Sequence, residues 1–270
     1  MSNRAIRRGY ADFGEGQIHY RMMDGPGRPL VMLHQTASSS ACFEAMMRRM
    51  AGTRPMLALD TPGFGGSFDP PFAPQLEHYA GWLLHAIYAL DIGAFDLLGH
   101  HTGAAIALQM AAEAPRRVAS LLLIGAPCLT PEERADYATR YTFNLPPDES
   151  GNYLGDIWRS LRGIGATLET SVMHREMVDA LRASTTRADA SRAVWAGDHV
   201  ALYGLSSCPL LLATSPGDVM AHCIDRIVAL RPDAVICKVG GGNFAPDVDP
   251  DGCCQAVSDF LARLGAGRPA

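Results

Sequence analysis

Gly99-His100-His101-Thr102-Gly103 follows an apolar run holding Phe95, Leu97 and Leu98, and precedes an Ala-rich helical stretch from Ala104 to Ala114. A strand, a Gly-x-x-x-Gly segment and a helix in that order predict a tight, strained turn. Such a turn raises its central side chain above the edge of a parallel sheet. The two glycines let strand and helix approach closely. The side chain at the summit is the imidazole of His101.

The flanking sequence supplies the sheet. Short strands are expected at Tyr10 to Phe13 and Ile18 to Met22, followed by the turn Asp24-Gly25-Pro26-Gly27. Pro29 to Leu33 and Met56 to Leu59 are continuous apolar runs, the pattern of strands buried on both faces. Ser40 to Met50 reads as a helix, as does Leu76 to Leu90, where Tyr79, Leu83, Ile87 and Leu90 recur on one face. After a strand at Ser120 to Ile124 the alternation stops. From Thr130 to about Tyr203 only helices are expected. One begins at a capping box (Thr130, Pro131, Glu133); two carry the stripes Leu154/Ile157/Trp158/Leu161 and Val172/Met173/Met177/Leu181. The β/α rhythm resumes with Pro209 to Ala213, Val219 to Leu230, Ala234 to Val239 and Asp251 to Leu264, and the tail from Gly265 to Ala270 is expected to fray. The pattern predicts an α/β protein with a mostly parallel, doubly wound sheet. Its core is 1–126 with 204–270, and 127–203 form a helical lid inserted after the sixth strand.

The 270 residues are 48% hydrophobic and 19% charged, enough for one large core. A net charge of −5 without blocks of like charge argues against nucleic acid or an anionic membrane as partner. No apolar run reaches the roughly 20 residues of a membrane span. Seven cysteines without metal-type spacing, two of them adjacent at Cys253-Cys254, suit reduced thiols. The expected setting is therefore cytoplasmic, and the expected partner a small molecule. No nucleotide-binding glycine motif or phosphate loop appears, so no cofactor is expected.

Five segments together carry a family resemblance: Leu33-His34-Gln35-Thr36, Asp60-Thr61-Pro62-Gly63-Phe64-Gly65, the Gly99–Gly103 turn, Pro209 to Asp218, and Gly242-Asn243-Phe244. In order and spacing the chain resembles the α/β-hydrolase superfamily, most closely its capped branch of haloalkane dehalogenases, epoxide hydrolases and C–C hydrolases. The resemblance implies that Gly99–Gly103 is the nucleophile elbow, with His101 where Ser, Cys or Asp normally stands. It implies that Asp218 is the catalytic acid, and that Asn243 replaces the histidine base. It also implies an oxyanion hole made by the backbone N–H groups of Thr36 and Thr102, with Gln35 between His34 and Thr36. A dehalogenase activity does not fit, because the elbow lacks both the Asp nucleophile and the neighbouring halide-binding Trp.

Asn243 does not titrate near neutrality and cannot take a proton from a nucleophile. Imidazole can act as a general acid and base at cellular pH. The long His101 ring and the short Asn243 side chain look compensatory, so that His101 could reach Asp218 or Asn243. The expected catalytic set is His101, Asp218 and Asn243. Thr36, Thr102, Gln35, His34 and His100 are candidates for the oxyanion and substrate-binding groups. For His34 the first reading is a bracing role near the oxyanion loop, as the resemblance implies, and for His100 packing beside the elbow; contact with substrate is the alternative for each. Adjacent histidines on a strained turn diverge, so no metal site is expected. The expected function is general acid/base chemistry, hydrolase-like or lyase-like, on a small, rather apolar carbonyl or ester compound, without an acyl-serine intermediate. The apolar lid stripes with Met173 and Met177 are the basis for an apolar substrate. The alternative is an inactive pseudo-hydrolase that binds a small ligand.

Overall fold

The computed structural model describes residues 5–165 and 168–266. Eight strands form one sheet: β1 (Arg7–Phe13), β2 (Gly16–Met23), β3 (Leu30–Leu33), β4 (Met56–Leu59), β5 (Phe95–His100), β6 (Val118–Ile124), β7 (Leu210–Thr214) and β8 (Val235–Lys238). Their spatial order is β1-β2-β4-β3-β5-β6-β7-β8. β2 pairs antiparallel with β1 and β4, and every other neighbouring pair is parallel. This is the mostly parallel, doubly wound sheet expected from the sequence.

The central strands read as unbroken apolar runs because both faces are covered. Val31, Leu33, Leu57, Leu59, Leu97, Leu121 and Leu123 pack into one core. The intervening Leu30, Met32, Ala58, Leu98 and Leu122 pack into a second. This is the two-residue alternation of a pleated strand. The first core receives α2 (Leu76–Ala89) and α3 (Thr102–Glu113), and the second α1 (Glu44–Arg49) and α11 (Pro250–Ala266). Residues 267–270 of the expected frayed tail lie outside the described residues.

Two helix expectations are shortened. Ser40–Phe43 is a 3₁₀ turn ahead of α1, because Asp60 Oδ1 accepts from the Ser40 amide (2.7 Å) and its hydroxyl and holds the chain there. After β7 the chain makes a turn through Asp218 and a 3₁₀ segment, and α9 (Ile224–Leu230) starts only at Ile224. That turn matters for the site.

Among the described residues between β6 and β7 lie five helices and no strand: α4 (Pro131–Tyr141), α5 (Asn152–Ile164), α6 (Thr170–Arg182), α7 (Arg187–Ala196) and α8 (His199–Leu205). The capping box at Thr130 is present, its hydroxyl accepting from the Glu133 amide at 3.2 Å. Of the α5 stripe, Ile157 and Leu161 are buried, whereas Leu154 and Trp158 stay 41% and 40% exposed. α6 is tied to the sheet's loops by polar bonds. Ser38 Oγ donates to Glu176 Oε1 (2.8 Å) and Ser39 Oγ to Asp179 Oδ2 (2.9 Å). Arg175 pairs with Asp247, Nη1 to Oδ1 at 2.6 Å, and also with Glu176. Arg182 donates to the Gly65 and Ser67 carbonyls at 3.1 and 3.0 Å.

Burial, with the nearby Glu176 charge, pushes the Asp179 carboxyl up to about 7. A carboxyl held higher in the folded than in the unfolded chain gives a contribution to stability that is full below its ordinary value. That contribution is lost as the pH rises through about 7. Asp179→Asn keeps an acceptor for Ser39 and removes the titration. Thermal melts of the variant are expected to lose less stability between pH 5 and pH 8 than the parent, by on the order of 2 kcal/mol. Parallel melting curves across that range would contradict the assignment.

Candidate active site

His101 joins β5 to α3 with φ 49° and ψ −109°, outside the regions side-chain-bearing residues prefer. Two close approaches force the turn to be this tight. A Cβ on Gly99 would stand 2.3 Å from the Gly103 carbonyl oxygen, and one on Gly103 would stand 2.2 Å from that of Leu33. Strand, turn and helix interlock only because both positions are glycine. Thr102 is already the first residue of α3, so the raised side chain is His101.

From this summit the imidazole lies over Gly125, at the end of β6. Gly125 has φ +60°, and a Cβ there would stand 2.6 Å from His101 Cδ2 and Nε2 and 2.9 Å from Asp218 Oδ2. The missing side chain is therefore the space in which ring and carboxylate meet. His101 Nε2 is 3.0 Å from Asp218 Oδ2, and the other oxygen, Oδ1, accepts from the Met220 amide at 2.7 Å. Burial opposes the charge on Asp218, but the His101 ring, its hydrogen bond and the Met220 amide outweigh it, and the carboxyl is held below its ordinary value. An ionised carboxylate only accepts, so Nε2 carries the hydrogen of this bond.

Asn243 does not take part in this pair. Its Oδ1 accepts from the Val219 amide (3.0 Å) and its Nδ2 donates to the Ile164 carbonyl (3.1 Å). It fastens the end of α5 to the turn that carries Asp218. The expected alternative, His101 oriented by Asn243, is thereby corrected in favour of Asp218.

His34 and His100 take the bracing and packing places read for them first, and the alternative of substrate-facing groups is corrected. His34 is 2% exposed. Its Nδ1–H donates to the Gln35 carbonyl (2.8 Å), and its Nε2 accepts from the Thr61 amide (2.9 Å). Burial lowers its pKa, in keeping with a neutral ring that braces two loops. His100 packs edge-on to His101, with ring centroids 4.7 Å apart. Both its nitrogens are buried without a partner among the described residues, and burial pushes its pKa well below the ordinary histidine value. Neither ring reaches the cavity.

A cavity of about 300 Å³ opens over His101, with Gln35, Thr36, Thr102, Gly125, Met220 and Asn243 in its wall on the sheet side. The helical side contributes Tyr137, Tyr141, Phe143, Arg187 and Trp195. Met173 and Met177, the basis for expecting an apolar substrate, are not in the wall; Met173 is buried in the core. Thr36 and Thr102 face each other. Thr102 Oγ1 donates to Thr36 Oγ1 (2.8 Å) and accepts from the Thr36 amide at a long 3.3 Å. The Thr102 amide, first of α3, has no acceptor among the described residues.

Sequence reasoning missed Gly125, Arg187 and Trp195. Arg187, Ser191, Val194 and Trp195 recur at helical spacing on the cavity side of α7. A search for apolar stripes passes over such a mixed face. All seven cysteines are free thiols, and no described helix is long and apolar enough to cross a membrane.

Comparison with known proteins agrees with this geometry. The sequence profile of the α/β hydrolase fold matches residues 28–201. The chain is 24% identical over 253 residues to the 2-(acetamidomethylene)succinate hydrolase of Mesorhizobium japonicum, covering 88% of this chain and 89% of that protein. It is 35% identical over 108 residues to the 2-hydroxymuconate semialdehyde hydrolase of a Pseudomonas species, covering 38% of each. Three other curated relatives are spanned over only 37%, 27% and 40% of their lengths. The crystal structure of an E-2-(acetamidomethylene)succinate hydrolase superposes with a TM-score of 0.78 at 22% identity, over 96% of this chain and all of that one. A profile match spanning well over half of the sequence, on a sheet of this order, establishes that the chain belongs to the α/β hydrolase fold family.

Proposed function

We propose that this protein is an enzyme acting on a small carbonyl or ester compound by general acid/base catalysis at His101, without an acyl-serine intermediate. One observation carries the reading: the 3.0 Å pair of His101 Nε2 and Asp218 Oδ2 at the floor of a cavity large enough for a small molecule. Asp218 fixes the ring and its tautomer and stabilises the imidazolium when it forms. His101 Nδ1 then takes a proton from water as it adds to the carbonyl, and returns it to the departing group as the tetrahedral intermediate collapses. The Thr102 amide receives the developing oxyanion. The Thr36 amide joins it once the Thr102 hydroxyl rotates away. Residues 127–203 serve as the lid, with Asn243 fastening α5 to the core. The names of the hydrolase relatives, which include a substituted succinate and a semialdehyde, support a small carbonyl compound as substrate.

One observation favours a second reading, a non-catalytic binder: the Thr36 amide is already satisfied by Thr102. Hydrolysis of p-nitrophenyl butanoate separates the two. The wild-type protein is expected to accelerate release of p-nitrophenol at least 10²-fold over buffer, the lower end of general-base catalysis. Binding of the ester with release no faster than in buffer would favour the binder.

A further inference from the structure

The face that α7 turns to the cavity carries donors that find no acceptor. The Arg187 guanidinium makes no hydrogen bond or ion pair with any described residue. Its one contact of note is with Phe143, whose ring centroid lies 4.8 Å from Cζ. A ring face attracts the cation but accepts none of its five N–H groups. Burial depresses the Arg187 pKa and no neighbouring charge offsets it. Arg140, Arg175 and Arg182 on the same segment are paired, with Asp136, Asp247 and Asp69, and Arg162 is exposed to solvent. A buried charge without a counterion is costly, and proteins hold one where a ligand completes it.

We propose that Arg187 binds a carboxylate of the substrate, which is therefore a small carboxylic acid whose reacting carbonyl lies at His101. The proposal rests on the acid/base reading for the second half of that statement only. An acceptor-only group matches the unpaired guanidinium. A carboxylate is planar and takes two parallel N–H bonds from one guanidinium, so it needs no second free cation. The charged group fixes the substrate at one end of the cavity and leaves the other end over the His101–Asp218 pair, which converts binding into orientation.

The test uses the full chain and a matched pair of esters, p-nitrophenyl hydrogen succinate and p-nitrophenyl butanoate. Wild type is expected to favour the acid ester in kcat/KM, and Arg187→Met to reduce that preference roughly 10- to 100-fold, chiefly through KM. Arg187→Lys, which keeps the charge but not the fork, is expected to fall between them. Circular dichroism checks that both variants fold. Glutarate binding, read as a rise in melting temperature, is independent of turnover. It is expected in wild type and lost in Arg187→Met. If neither ester is hydrolysed but this glutarate pattern holds, the acid/base reading fails and the carboxylate subsite stands. An unchanged ester preference, or an equal glutarate shift in wild type and Arg187→Met, overturns the subsite. A larger shift with inorganic phosphate than with glutarate overturns the choice of carboxylate.

Discussion

Replacing His101 by alanine lowers kcat/KM toward an activated ester by roughly 10²- to 10⁴-fold, the usual span for loss of a general acid/base. The two other proposed members of the site are not placed to take over. Asp218 is engaged by Met220 and held ionised, and Asn243 has no proton to exchange near neutrality. The fold is expected to survive, because the turn is fixed by Gly99 and Gly103 rather than by the ring. His101→Asn provides the control. Asparagine tolerates the positive φ of 49° better than alanine, so it separates loss of the imidazole from backbone strain. Steady-state kinetics and thermal melts on both variants check the result. Near wild-type rates in either would remove His101 from the mechanism.

Asp218→Asn produces the second large loss, on the order of 10³- to 10⁴-fold, by analogy with the loss when a catalytic carboxylate that orients histidine is made an amide. The asparagine amide can present N–H as readily as C=O to Nε2. It therefore leaves the tautomer unfixed and the imidazolium without its counter-charge. The same substitution has a signature in stability. A carboxyl held low in the folded chain contributes stability that is present above its unfolded pKa and is lost as the pH falls through the folded value. Asp218→Asn is therefore expected to melt below the parent at pH 7 and to converge with it in acid. A variant that is inactive yet melts like the parent at both pH values would leave Asp218 with a positional role alone.

Much of the fold was legible because its signals are local. Unbroken apolar runs at Leu30–Leu33 and Met56–Leu59 require cover on both faces, and the loss of strand patterning after Ile124 marks the helical segment. The turn at His101 was legible because two glycines four residues apart are a steric requirement. The partners of its side chain were not. Asn243 and Asp218 were both candidates for the ring, and only the path of the chain through Val219 and Ile164 decides that the Asn243 amide is taken up by these two backbone groups while Asp218 meets the imidazole. Met173 and Met177 were misleading for a related reason: a helix stripe declares that it is buried, not whether it is buried against a core or a cavity. Arg187 was invisible because a single arginine in a helix reads as solvated until every possible counterion is seen to be elsewhere.

The central claim is that protons, and no acyl group, pass through His101. Intact-mass spectrometry on rapidly quenched protein during turnover of p-nitrophenyl butanoate tests it most directly. The expected spectrum contains the unmodified chain alone at every time point. A butanoyl adduct that rises and decays with turnover, whether on Thr102, Ser191 or the His101 ring itself, would contradict it.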